Sequence, residues 1–130
     1  MQRVKQVIVI RKDLKMRRGK EIAQGSHAAM EFLVSRLRAC IESDLTTSVA
    51  LSDVERFWIV HGMAKVCLQV NSEQALIACH EKARQQGLNS CLIQDSGRTE
   101  FGGVPTFTAC AIGPDEADRI DPVTGDLSLY

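Results

Sequence analysis

Four polar side chains, Lys20, Gln24, His27 and Glu31, recur at offsets of four, seven and eleven residues within the segment KEIAQGSHAAME. On a helix that spacing puts an ammonium, an amide, an imidazole and a carboxylate on one face, opposite a stripe of Ile22, Ala29 and Leu33. Such a row can orient a polar substrate and move a proton, and it equally suits an ordinary solvated face. A second group of reactive side chains lies far along the chain, where Asp95, Arg98 and Thr99 open the loop DSGRTEFGGVP. Asp95 fits two roles there. One is a carboxylate at the carboxyl end of a strand, where loops of open α/β sheets converge on ligands; the other is a turn-former bonded to nearby amides.

A third feature sets the kind of ligand. Residues 11–20, RKDLKMRRGK, gather Arg11, Lys12, Lys15, Arg17, Arg18 and Lys20 directly after the apolar run VIVI. The chain as a whole is balanced, with 16 basic and 16 acidic residues, and beyond Ile93 the acids outnumber Arg98 and Arg119. A local basic site fits that asymmetry better than a protein that coats nucleic acid over its whole surface. Because the basic loop feeds a helix N-terminus, free N–H groups and arginines together form an anion site whose natural guest is phosphate. RRGK lacks the first glycine and the hydroxyl after the lysine of a nucleotide P-loop, which disfavours an ATPase. His61 and His80 have no partners at metal-ligand spacing and no G-x-S-x-G occurs, so neither a metal site nor a serine nucleophile is expected.

The elements that must position these groups are legible from periodicity. QVIVI is a β-branched run suited to a strand covered on both faces, and helical spacing of Ile22, Ser26, Ala29, Met30, Leu33, Leu37 and Cys40 predicts a helix from about Lys20 to Ile41. ESDLTTSVALSD is a polar connection. Ser52 and Glu55 then form a capping box for a short helix holding Phe57 and Trp58. AKVCLQV predicts a second strand, NSEQALIACHEKARQQG a helix capped by Asn71 or Ser72 and stopped at Gly87, SCLIQ a third strand and TFTACAIG a fourth. The tail is expected to hold one helical turn and an extended piece. At 130 residues the chain is expected to be one domain, 1–130, burying roughly two-thirds of its unfolded surface. The alternation predicts a single compact α/β domain with a four-stranded mixed β-sheet, mostly parallel, and helices on both faces; the short connection between the third and fourth strands demands one antiparallel pair. If the first and third strands are parallel neighbours, the basic loop and Asp95 meet at one edge. The five cysteines, odd in number and without C-x-x-C spacing, are expected to be reduced, buried small hydrophobes. No apolar run reaches the length of a signal-peptide core or a membrane span, so a cytoplasmic protein with no membrane partner is expected.

In order and at similar separations, IRKDLKMRRGK, AQGSHAAM, LIQDSGRTEF, AIGP and VTGDLSLY make the chain resemble the peptidyl-tRNA hydrolase 2 family from about Lys5 to Tyr130. The resemblance implies a compact α/β domain, commonly a homodimer, that cleaves the ester joining a peptide to the 3′ end of tRNA and so recycles stalled peptidyl-tRNA, with no metal or organic cofactor. Lys20, His27, Asp95 and Thr99 fall on positions similar to the family's active-site residues, with Gln24, Ser26 and Thr108 as their neighbours. Glu100 stands where glutamine is frequent and Ser96 where alanine is usual, and residues 38–58 match poorly. An added carboxylate beside Asp95 would raise the proton affinity of both acids and repel phosphate.

The expected mechanism has Lys12, Arg17 and Arg18 gripping the acceptor end of tRNA, with Gln24, Ser26, Arg98 and Thr108 completing the binding surface. Asp95, held by Thr99 and Lys20, activates water while Lys20 and the helix N-terminus stabilise the oxyanion. His27 is the rival base, because an imidazole suits proton transfer at neutral pH better than a carboxylate does. Two alternatives stand beside hydrolysis: a non-catalytic tRNA- or RNA-binding module of the same fold, and a small-molecule phosphate enzyme.

Overall fold

In the computed structural model of the chain, residues 3–43 and 48–130 are described, so the middle of the polar connection after the first long helix lies outside them. The order is β1 (Val4–Arg11), a 3-10 turn (Lys12–Leu14), α1 (Arg18–Glu42), α2 (Asp53–Val60), β2 (Lys65–Val70), α3 (Glu73–Gln85), β3 (Ser90–Asp95), a second 3-10 turn (Phe101–Gly103), β4 (Thr106–Glu116) and α4 (Ala117–Thr124). The tail helix has two turns rather than the single one expected.

The four strands form one mixed sheet in the order β2-β1-β4-β3. Only β1 and β2 run parallel; β4 is antiparallel to both its neighbours, which corrects the expectation of a mostly parallel sheet. The physical reason is that the chain returns from β3 through the loop 96–105 and inserts β4 between β3 and β1. Strands β1 and β3 therefore point the same way without touching, and their carboxyl ends still share one edge of the sheet.

Alternation along β1 explains the two layers. Val7 and Val9 join Leu68, Val70, Leu76, Ala83, Ile112 and Ile120 in a cluster under α3 and α4, whereas Ile8 and Ile10 join Met16, Ala28, Ile93 and Ala109 under α1. The helix faces follow from their spacing: Leu76, Cys79 and Ala83 turn inward on α3, which starts at a Ser72 cap accepting the Ala75 amide. α2 begins with the full Ser52–Glu55 capping box, and its Trp58 donates its indole N–H to the Ala64 carbonyl.

Two expectations about burial need correction. The stripe assigned to the sheet-facing side of α1 is displaced: Ile22 and Met30 are 63% and 58% exposed, and Gln24, Ala28 and Phe32 face inward instead. Gln24 of the polar row thus lies against the sheet, because hydrogen bonds to other strands offset the cost of burying an amide, while His27 of the same row stays exposed. The cysteines also divide: all five are free, but only Cys79 and Cys110 are buried and Cys67 is exposed.

The connection between α1 and α2 is tied by a buried fork. Both terminal nitrogens of Arg36 donate to the Glu55 carboxylate at 2.8 Å, and one also reaches the Ala50 carbonyl at 3.1 Å. Burial by itself would raise the Glu55 carboxyl, but the Arg36 fork and the Ser52 amide outweigh it and hold the group below its ordinary value. Arg36→Ala is expected to cost about 3 kcal/mol of unfolding free energy, the low end for a broken buried pair because Arg36 is itself partly exposed. Urea denaturation checks this; an unchanged midpoint contradicts it.

Candidate active site

The residue at the centre of the site is Lys20, in the first turn of α1. The helix starts at Arg18 with Arg17 as its cap, and among the described residues no side chain caps the first amides. From there the Lys20 side chain crosses to the carboxyl end of β3. Its Nζ donates to Asp95 Oδ1 at 2.8 Å and to Thr99 Oγ1 at 2.9 Å, and stands 5.9 Å from the centre of the Phe101 ring. Residues separated by 75 positions in the chain meet because β1 and β3 end at the same sheet edge. An ammonium has three donors, and the third has no partner among the described residues.

Asp95 is held from several sides. Its Oδ1 also accepts from Gln24 Nε2 at 3.3 Å, and its Oδ2 accepts the Gly97 amide at 2.8 Å. The turn-forming role weighed for this residue is therefore present, and the same carboxylate also holds the Lys20 ammonium. Among the described residues Thr99 makes no hydrogen bond to the carboxylate; its hydroxyl oxygen accepts from Lys20 instead, which revises the expected arrangement. Gly97 is required by the turn. Its φ is +81°, and a Cβ there would lie 2.2 Å from the Val104 carbonyl oxygen, because the loop folds back so that the Gly103 amide donates to the Gly97 carbonyl.

The Lys20 hydrogen bond holds the Asp95 carboxyl below its ordinary value, against a smaller opposing push from burial; the Gly97 amide and the nearby charge of His27 add to the lowering. A carboxylate so stabilised is a weaker base than a free aspartate. The geometry thus suits Asp95 to fixing an ammonium more than to taking a proton from water.

The other expected site residues divide by location. Gln24 and Thr108 are buried, and the Thr108 hydroxyl donates to Gln24 Oε1, so they support Asp95 from below the surface rather than touching a ligand. His27 is exposed and lines a cavity of about 340 Å³ with Glu31, Leu92, Ile93 and Gln94, directly beneath the end of β3. Ser26 stands apart. Its hydroxyl donates to the Ile22 carbonyl, and it lines a separate apolar groove with Ile8, Ile10, Ile22, Cys67 and Tyr130 on the β2 side of α1.

The basic loop is partly committed. Arg11 donates to the Asp13 carboxylate and the Phe107 carbonyl, and Lys20 serves Asp95. Arg17, 90% exposed, lies 3.7 Å from Glu100. Lys12, Lys15, Arg18 and Arg98 are exposed, with no ion-pair partner among the described residues. Glu100 therefore turns toward the basic loop.

Phe101 was not anticipated from the sequence. It adopts φ +63°, a left-handed conformation costly for a bulky residue, and packs half-buried against the cluster under α1 with its ring facing Lys20. The only sequence signal is its place before Gly102 and Gly103, both also at positive φ.

Comparisons with known proteins match nearly the whole length of the chain. The profile of the family described as peptidyl-tRNA hydrolase PTH2 matches residues 4–130. The peptidyl-tRNA hydrolase of Methanocaldococcus jannaschii is 40% identical over 126 residues, covering 97% of this chain and 99% of its own. That of Methanopyrus kandleri is 42% identical over 125 residues, covering 96% and 97%, and that of Haloquadratum walsbyi 36% over 127 residues, covering 98% and 100%. With a mixed four-stranded sheet that joins a lysine at one strand's exit to an aspartate at another's, and with near-complete overlap in both directions, the chain belongs to the peptidyl-tRNA hydrolase PTH2 family.

Proposed function

We propose that the chain, acting as a single domain, hydrolyses the ester between a peptide, or an N-blocked amino acid, and the 3′ end of tRNA, without a metal or organic cofactor. The observation that carries this reading is the Lys20 ammonium, pinned by Asp95 and Thr99 with one donor left over, at an uncapped helix N-terminus beside a basic loop. Lys12, Arg17, Arg18 and Arg98 hold phosphates of the acceptor end, each neutralised phosphate steepening the salt dependence of binding. The free Lys20 N–H and the first amides of α1 receive the carbonyl oxygen as it becomes an oxyanion, a contribution of roughly 10²- to 10³-fold in rate for one such donor. His27 takes the proton from the attacking water, and Asp95 keeps the ammonium in place. The lowered basicity of Asp95 favours this division of labour over the reverse. If His27 is the base, His27→Asn lowers kcat by about 10²-fold or more while KM for the tRNA substrate is little changed; an unaltered kcat contradicts the role.

Glu100 tempers the clamp. Its carboxylate competes with phosphate for Arg17, so Glu100→Gln is expected to lower KM about threefold at low salt, as for an exposed ion pair, with the gain shrinking as salt is raised. An identical KM at low salt contradicts that role.

The family's homodimer is proposed for this chain as well, and the exposed Ile22 and Met30 on α1 support it; sedimentation reads it out. A cytoplasmic site of action follows from the proposed substrate. The proposal is tested by incubating the purified protein with N-acetyl-aminoacyl-tRNA. Release of free tRNA supports it, while retained binding without cleavage moves the chain to the class of non-catalytic tRNA-binding modules.

A further inference from the structure

The two outer strands of the sheet end differently. On β2 the outer edge is closed by the chain's own tail: the Gln69 amide donates to the Ser128 carbonyl, the Tyr130 amide donates to the Cys67 carbonyl, and Leu68 bridges to Leu129. β3, by contrast, pairs only with β4, and among the described residues no main-chain bond outside the sheet reaches residues 90–95. Exposed edges are normally blunted by lysine, proline or a covering segment. SCLIQD carries neither lysine nor proline, and its one charge is Asp95 at the end nearest the site.

The cavity beside this edge has a telling lining. Leu92, Ile93 and Gln94 are consecutive, and their side chains alternate between the two faces: Ile93 packs in the cluster under α1, and Leu92 against the cluster under α3 and α4. A cavity that touches all three therefore opens onto the rim of the strand, with His27 and Glu31 of α1 forming its other wall. It is continuous with the site, because β3 ends in Asp95 and His27 belongs to both.

We infer that the free edge of β3 receives the peptide part of the substrate by strand addition, an inference that rests on the function proposed above. The occupant follows from continuity: with the scissile ester at Lys20 and Asp95, the attached peptide leaves along the only open main-chain edge adjoining them among the described residues. Its acyl end lies at the carboxyl end of β3, so its chain runs parallel to that strand, with its N-terminus toward Ser90. At about 3.3 Å per residue, the stretch beside Leu92–Gln94 takes about three residues. Recognition through N–H and C=O groups predicts tolerance of unrelated peptides, because main-chain bonds supply affinity without reading side chains.

The test edits the substrate and leaves the enzyme intact. N-acetyl-tetrapeptidyl-tRNAs are prepared with one backbone amide at a time replaced by an ester, which deletes an N–H donor with little change of shape, alongside side-chain exchanges at the same positions. The expected result is a loss of about 3- to 10-fold in kcat/KM at alternate residues, the worth of one main-chain hydrogen bond, seen mainly in KM, with side-chain exchanges changing it by less than about twofold. Backbone-ester substrates cleaved like the parent overturn strand addition while leaving hydrolysis intact. Failure to cleave the parent itself overturns the proposed function, so the two failures are distinct.

Discussion

Alanine at position 20 is expected to lower kcat by about 10²- to 10³-fold while leaving KM for the tRNA substrate little changed, the signature of an interaction made chiefly in the transition state. The geometry dictates the split. Two of the three donors of Lys20 are spent on Asp95 and Thr99, so the remaining one is the donor available to a carbonyl oxygen that gains charge. In the proposed reading phosphate is held by Lys12, Arg17, Arg18 and Arg98 instead, so binding is expected to persist. Arginine is not expected to rescue: its planar fork cannot keep both the Asp95 and Thr99 contacts and still direct a single N–H at the same point. Steady-state kinetics on N-acetyl-aminoacyl-tRNA measure the split; a rise in KM with kcat retained would move Lys20 from the chemical step to the clamp.

Asp95→Asn is the second large effect. Asparagine keeps the size of the side chain and an acceptor oxygen, but it removes the charge that pairs with the Lys20 ammonium. Lys20 then loses its fixed position, and a displacement of about 1 Å is enough for a 10²-fold fall in kcat. The same substitution has a stability readout whose sign follows from the lowered Asp95 value. The contribution of the Lys20–Asp95 pair is fully present above the ordinary aspartate value of about 4, and it is lost as pH falls through the depressed folded value. The stability gap between the parent and Asp95→Asn is thus expected to be constant from neutrality down to about pH 4 and to close below it. Equilibrium unfolding at a series of pH values checks this; a gap already closing between pH 7 and 5 contradicts it.

The sequence carried most of the elements and far less of their arrangement. β-Branched runs, the Ser52–Glu55 box and the Ser72 cap are local signals, and each sits where it was expected. Strand order depends on pairing between distant segments. Nothing local in TFTACAIG says that it inserts between β1 and β3 and runs against both. The side of α1 that meets the sheet was misjudged for a related reason. Ile22 and Met30 are apolar and exposed, while Gln24 is polar and buried, and Gln24 can be buried only because Thr108 and Asp95, from two other strands, supply its partners.

The site was more legible than its workings. The resemblance named Lys20, His27, Asp95 and Thr99 as a group; the structure joins Lys20, Asp95 and Thr99 through the lysine and leaves His27 in the neighbouring cavity. That Thr99 acts on Lys20, that Thr108 serves Gln24 from inside the protein, and that Phe101 adopts a strained conformation facing the ammonium are facts of three-dimensional packing. The open edge of β3 was equally invisible, since it depends on which strand ends up outermost.

The central claim is tested most directly by single-turnover hydrolysis of N-acetyl-aminoacyl-tRNA with excess enzyme, run on the parent protein and on Lys20→Ala with tRNA binding followed in parallel. The account predicts that both bind tRNA, that the parent releases it, and that the variant leaves the ester essentially intact. Equal rates of ester cleavage by the two proteins would contradict it.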